Sequence, residues 1–391
     1  MNQKVKDCKS VLILRPDNLG DVVLFSGALR HIRNYFPNAT ISICVKEYVK
    51  NYIEHCPYID YIYTWEKYAV PSSIFDYNAR LRKYWLSKHW IGLFDRLYRK
   101  HLLKDLNADL LLVPTRSPKK GVYGEHTVIS DIPAQIKIGI AGDYSNQNHQ
   151  TDLKAERLYT QRLKLDQGLQ DLHEFNVTAE LLQFLGLNIS VPDLWPEVWT
   201  MEEDRIWAEQ RIPKSSKSIV LGLCPGATYT KKLYPIEQYK AIFESVNDET
   251  FTIILFGSKS ERNLCEQIQQ EIQNCKNVIK VLNLAGDSTI RQLIEGLRNC
   301  DVVLSADSAS LHLSVSLRKP VVGIMGGGHY GRFYPWGDPR IHRVVNKPMD
   351  CYWCNWRCRF PSVRCIEEID PTQIAFELQS LIKELYRAKK I

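Results

Sequence analysis

Residues 301–312 of the chain read Asp-Val-Val-Leu-Ser-Ala-Asp-Ser-Ala-Ser-Leu-His. An apolar strand pattern runs to Ser305, small residues follow, and a helical pattern opens at Ala309. The first turn of a helix has backbone N–H groups without intrahelical partners, and its dipole adds positive potential. The small side chains of Ser308, Ala309 and Ser310 would therefore admit a phosphate to close range. Asp307 reads as the cap of this helix and His312 as a side chain one turn in, facing a cleft. An ordinary capped helix with a surface histidine is the competing account.

Two further strand-end turns carry polar groups. Leu223-Cys-Pro-Gly-Ala-Thr-Tyr-Thr-Lys-Lys-Leu-Tyr-Pro235 turns at Pro225-Gly226 and presents Thr228, Thr230, Lys231 and Lys232. These lysines would neutralise a diphosphate, or else belong to a solvated basic loop. After the strand pattern 252–256 comes Gly257-Ser-Lys-Ser-Glu261, where Glu261 would accept hydrogen bonds from ribose hydroxyls. Three such turns in one domain outline a nucleotide pocket, because ligands of open α/β sheets sit outside the carboxyl ends of the strands. Near the N-terminus, Arg15-Pro-Asp-Asn-Leu-Gly-Asp21 follows another strand pattern. Asp21 is placed there to act as a general base, or to cap the helix expected over 22–35.

These residues need elements to hold them. Apolar runs at 11–14, 40–45, 58–63, 108–113 and 136–140 alternate with helical patterns at 22–35, 46–55 and 174–185. A polar, proline-bearing stretch surrounds a short helical pattern at 202–210. A second series then gives strands at 218–223, 252–256, 278–282, 301–305 and 321–325, with helices at 236–245, 261–273, 289–298 and 309–317. Such alternation predicts an α/β protein of two Rossmann-like domains with parallel sheets facing across a cleft. The expected domains are 1–195 and 196–370, the second carrying the three strand-end turns. A last helix at 371–391 would pack back on the first domain.

The residues together resemble glycosyltransferase family 9, the heptosyltransferase-like enzymes of bacterial surface polysaccharide assembly. The resemblance rests on residues 15–21 with Pro37, Pro225-Gly-Ala with Lys231, Leu284-Ala-Gly286, and Asp307-Ser-Ala-Ser-Leu-His312 followed by Pro320. It implies the GT-B fold, Asp21 as catalytic base, a donor-diphosphate contact from Lys231 or Lys232, and nucleotide binding by 307–312. This chain has Ser308 and Ala309 where the family usually has Thr and Gly: the hydroxyl is kept and a methyl group is added. Gly326-Gly-Gly-His-Tyr-Gly-Arg-Phe-Tyr-Pro-Trp336 resembles the family's turn near the donor, which would bring Gly327, His329 and Arg332 to it. The implied reaction is inverting sugar transfer, without a catalytic metal, from a nucleotide-sugar. ADP-heptose is the commonest donor precedent, and the acceptor would be a lipopolysaccharide core, another glycan, a lipid-linked sugar or a glycoprotein. A nucleotide-sugar epimerase and a non-catalytic glycan-binding assembly protein are the alternatives.

Eleven cysteines occur in the chain. Cys8, Cys44, Cys56, Cys224, Cys265, Cys275 and Cys300 are scattered singly and read as buried thiols. Cys351, Cys354, Cys358 and Cys365 crowd one segment, 351–365, and suggest a closed structural zinc or iron site remote from the chemistry. Residues 66–104 form a basic stretch interleaved with Trp85, Trp90, Phe94 and Tyr98, which suits packing on the first sheet, contact with an anionic membrane surface, or contact with a phosphorylated lipid-linked or lipopolysaccharide acceptor. The net charge of +7 over 391 residues is too diffuse for a dedicated nucleic-acid binder. With Lys4, Lys6 and Lys9 leading into an apolar run too short for an export signal, the expected location is cytoplasmic, with peripheral contact to the inner membrane left open.

Overall fold

The computed structural model describes residues 2–68, 103–118, 125–165, 172–215, 217–247 and 249–388. Most of the basic aromatic insertion, residues 69–102, lies outside them. The chain divides into two compact units: Met1–Asn18 with Phe25–Leu194, and Leu19–Leu24 with Trp195–Ile391.

The first unit holds strands β1 (Ser10–Leu14), β2 (Thr40–Val45), β3 (Tyr61–Thr64), β4 (Ala108–Leu112), β5 (Ala134–Ala141) and β6 (Gln161–Lys164). Their order is β3-β2-β1-β4-β5-β6, all parallel. The four residues after Ser10 in β1 are fully buried, as a central strand covered on both faces requires. Leu12, Leu14, Leu111, Val128 and Ile129 share one core.

The second unit repeats the plan with β7 (Ile219–Cys224), β8 (Phe251–Leu255), β9 (Val278–Asn283), β10 (Val302–Ala306), β11 (Val321–Met325) and β12 (His342–Asn346). The order is β12-β11-β10-β7-β8-β9, again parallel. Each sheet has the doubly wound order that reverses at its centre, between β1 and β4 and between β7 and β10. These are the two parallel, helix-covered sheets of the GT-B class.

Strands β6 and β12 are absent from the sequence reading. Both are edge strands, Gln-Arg-Leu-Lys and His-Arg-Val-Val-Asn, and an edge strand needs no continuous apolar run. The last helix is Pro371–Ala388. Its Ile374, Ala375, Leu378, Leu381 and Ile382 join the core of the second unit, and Arg343 of β12 pairs with its Glu377 and Glu384 at 3.1 and 2.8 Å. A helix beside the edge strand buries its apolar stripe there. No helix among the described residues is long and apolar enough to cross a membrane.

Candidate functional site

In the second unit, parallel register brings the carboxyl ends of β7, β8, β10 and β11 into line: Ser305 is opposite Cys224, Leu223 opposite Leu255, and Ala306 opposite Ile324. The turns after Cys224, Leu255, Ala306 and Met325 therefore share one edge, at the point where strand order reverses. Residues more than 80 positions apart in sequence meet there only through this pairing.

Asp307 is not the helix cap. The helix Ala309–Ser316 is capped by Ser308, whose side chain makes no capping hydrogen bond, and the Asp307 carboxylate is buried. Lys232 Nζ approaches Asp307 Oδ2 at 2.8 Å. Burial alone would raise the Asp307 pKa, but the charge and hydrogen bond of Lys232, helped by His312 and His329, bring it below the ordinary carboxylate value. His312 is also buried rather than at the surface: its Nδ1 accepts from Trp336 Nε1 at 3.1 Å, which leaves the proton on Nε2, and the two rings stack with 6.3 Å between centroids.

Lys231 and Lys232 lie on the short turn Thr230–Lys232 and are both anchored by protein partners. Lys231 Nζ donates to the Trp356 carbonyl at 2.8 Å, and Lys232 Nζ lies 5.3 Å from the centre of the Trp356 ring. Thr228 is exposed just before this turn. Glu261 accepts from the backbone N–H and the hydroxyl of Ser258 through Oε2, at 2.6 and 2.8 Å, and so closes its own turn against Gly226. The ribose role expected for it competes with that local bond.

The glycine run 326–328 has a reason that sequence alone does not reveal. A Cβ on Gly327 would collide with the Tyr352 ring and one on Gly328 with the Trp356 indole. Gly327 O accepts from Trp353 N at 2.8 Å, and Gly327 N donates to Cys365 Sγ at 3.4 Å. The cysteine segment is thus seated on the glycine turn and is not remote from the candidate site. All four cysteines are free thiols. Burial raises the Cys365 pKa, its Gly327 N–H contact opposes this, and the nearby Cys354, Cys358 and Cys351 raise it further. Among the described residues, no three His, Cys, Asp or Glu side chains are arranged to hold a metal ion, so this structure does not assemble the expected zinc or iron site. The seven scattered cysteines are all buried and free.

His329 pairs through Nε2 with Asn355 Oδ1. Burial, with Arg332 and Lys232 nearby, lowers its pKa to about 4. His342 in β12 behaves alike. Its Nδ1 accepts from Asp338 N at 2.8 Å and cannot also carry a proton, and burial lowers its pKa to about 4. A histidine that ionises at pH 6.5 unfolded but near 4 folded contributes stability that is complete above 6.5 and lost as pH falls toward 4. For His342 this is at most ~2 kcal/mol between pH 8 and 5. Urea midpoints at the two pH values should fall less in His342→Asn, which keeps an acceptor for Asp338 N. Parallel falls in both proteins would remove His342 as the source.

Asp21 lies in the first turn of the helix Leu19–Tyr35, three residues after its N-cap Asn18. The helix starts earlier than the expected 22, so Asp21 is not its cap. Gly20 is helical, and a Cβ there would lie 3.1 Å from Cδ2 of His312 and 3.7 Å from Cα of Ala309. The segment Leu19–Leu24, which carries Asp21, belongs to the second unit, and at Gly20 it meets the opening turn of the helix Ala309–Ser316.

In the first unit the carboxyl edge holds a buried ion network that sequence reading misses. Arg116 meets Asp143 at 3.1 Å and Glu174 at 3.4 Å, and Arg15 meets Asp17 at 3.2 Å while Thr115 donates to Asp17 at 2.6 Å. Charged residues spread from 15 to 174 give no local signal that they are partners.

Comparison with known proteins agrees with this fold. The family model described as Glycosyltransferase family 9 (heptosyltransferase) matches residues 132–355, more than half of the chain. Lipooligosaccharide heptosyltransferase 2 of Campylobacter jejuni is 27% identical over 166 residues, 42% of this chain and 51% of its own length, so the match spans about half of that relative. Lipopolysaccharide heptosyltransferase 2 of Escherichia coli K12 is 21% identical over 81% of this chain and 82% of its own. The solved structure of the E. coli ADP-heptose lps heptosyltransferase II superposes with a TM-score of 0.63 at 17% identity, covering 96% of this chain and 99% of that one.

Proposed function

The chain belongs to glycosyltransferase family 9, and from that premise we propose that it transfers a sugar, heptose in the first instance, from a nucleotide diphosphate to a hydroxyl of a lipopolysaccharide core or related surface glycan. The observation that supports this reading is the approach of Gly20, the residue before Asp21, to His312 and Ala309 at the opening of the Ala309–Ser316 helix. The relatives named as heptosyltransferases support the sugar, and the solved ADP-heptose enzyme supports adenine as the base.

In this mechanism the donor diphosphate lies at the N-terminal turn of Ala309–Ser316, with Ser308 and the backbone N–H groups of 309 and 310 as donors. Lys231 and Lys232, held by Trp356 and Asp307, supply positive charge beside it. Asp21 accepts the proton of the acceptor hydroxyl as that oxygen bonds to the anomeric carbon. The bond from that carbon to the diphosphate oxygen breaks on the opposite face, which inverts the configuration. Negative charge grows on the departing diphosphate and is met by the lysines and the helix N-terminus. The reaction would take place at the inner membrane face, where a lipid-anchored acceptor is presented.

A thermal-shift screen of ADP, GDP, UDP and dTDP sugars tests the donor. A sugar nucleotide at about 100 times its dissociation constant stabilises the fold by about 2.7 kcal/mol. ADP-heptose is expected to give the largest shift, and no shift with any of them would remove the proposed donor class.

A further inference from the structure

The Trp356 indole N–H is buried, with the residue 4% exposed, and makes no hydrogen bond among the described residues. A buried donor left without an acceptor is costly, and native structures rarely keep one without a purpose. Its surroundings are cationic and aromatic. The Trp356 carbonyl holds Lys231, its ring faces Lys232, and the rings of Tyr229 and His329 meet it edge-on at 6.2 and 6.3 Å. The backbone is left-handed at Trp353, Asn355 and Trp356, with φ of 67°, 49° and 59°, conformations that favour glycine. Gly328 has no side chain where the indole lies. A left-handed backbone, a glycine seat and two lysines meet at this one residue.

We propose that Trp356 is a donor-binding residue: its unpartnered indole N–H donates to an oxygen of the donor diphosphate, while its carbonyl and ring hold Lys231 and Lys232 for the same group. The assignment rests on the sugar-nucleotide reading above. It commits to an anionic oxygen because Lys231 Nζ is held on the Trp356 carbonyl and Lys232 Nζ lies 5.3 Å from the Trp356 ring. The cysteine-bearing segment then serves the donor site by carrying this tryptophan.

The test titrates ADP, GDP, UDP and dTDP, and the four parent nucleosides, into wild-type protein, Trp356→Phe and Trp356→Leu, with melting temperature read in parallel. Losing a hydrogen bond to a charged oxygen should weaken diphosphate binding about tenfold or more in Trp356→Phe, with nucleoside binding unchanged. Trp356→Leu, which also removes the ring beneath Lys232, should weaken it further, and that extra loss should vanish in a Lys232→Met background. Diphosphate binding equal to wild type in Trp356→Phe overturns the assignment. So does an equal loss for nucleosides and diphosphates with a lowered melting temperature, since that marks a packing role. If Trp356→Phe does not fold, Gly328→Ala, which displaces the indole from the other side, should give the same selective loss, and undiminished diphosphate binding there overturns the assignment. Wild-type protein that takes none of the four diphosphates overturns the donor reading and this assignment together.

Discussion

Asp21→Ala is expected to lower the transfer rate by about 10²- to 10⁴-fold, the usual contribution of a general base, while donor affinity stays within about twofold of wild type. The separation follows from position. Asp21 lies in the first turn of Leu19–Tyr35, whereas the proposed diphosphate contacts come from the Thr230–Lys232 turn and the Ala309–Ser316 helix. A small stability loss of about 0.3–1 kcal/mol should accompany it, because a carboxylate in the first turn favours the helix dipole. Asp21→Asn keeps the shape and should lose activity as severely. The measurement is a single-turnover assay with saturating donor alongside donor titration. Loss of donor binding together with activity would make the carboxylate structural, and retained activity would place the base elsewhere.

Lys232→Met should produce the second large effect, on stability and donor binding at once. Asp307 is buried and Lys232 is the cation paired with it at 2.8 Å, so removing the ammonium leaves a buried carboxylate uncompensated. Breaking such a pair from one side costs ~3–5 kcal/mol. The sign with pH follows from the same residues. In wild type the Asp307 pKa is lowered, so the pair's contribution is present above the ordinary carboxylate pKa and is lost as pH falls through the lowered value. Without Lys232 burial raises that pKa instead, so the variant's deficit should shrink on acidification. Adding Asp307→Asn to Lys232→Met should recover most of the lost stability, since no charge then remains buried, but should not recover diphosphate binding. Urea midpoints and ADP titration of the three variants check this. Full recovery of binding in the double variant would mean that Lys232 serves only to neutralise Asp307.

Both predictions depend on partners that local sequence does not reveal. Lys232 and Asp307 are 75 positions apart, and each alone reads as something milder, a loop lysine and a helix cap. The turns that carry them were legible, because Pro225-Gly226 and Ala306-Asp307-Ser308 interrupt strong apolar runs. The burial of Asp307 was not, because an aspartate before a helix usually stays at the surface as its cap. Gly20 is a similar case. Glycine disfavours a helix interior by about 1 kcal/mol relative to alanine, so the pattern places the helix start after it. In the fold the helix runs through Gly20, where a side chain would crowd His312.

What the sequence alone determined was the succession of central strands and covering helices, and hence the class of the fold. Val11-Leu-Ile-Leu14 and Val302-Val-Leu-Ser-Ala306 are apolar throughout because strands buried on both faces must be, and that constraint is written locally. The tertiary structure alone decided which side chains meet: Lys232 with Asp307, Lys231 with the Trp356 carbonyl, Arg116 with Asp143 and Glu174, and the cysteine segment with the glycine turn. It also decided the edge strands β6 and β12 and the seat of the last helix. Burial has a period along the chain and can be read from a few neighbouring residues. A polar partner is chosen by the order of strands in the sheet, which brings distant turns to one edge and leaves no periodic trace.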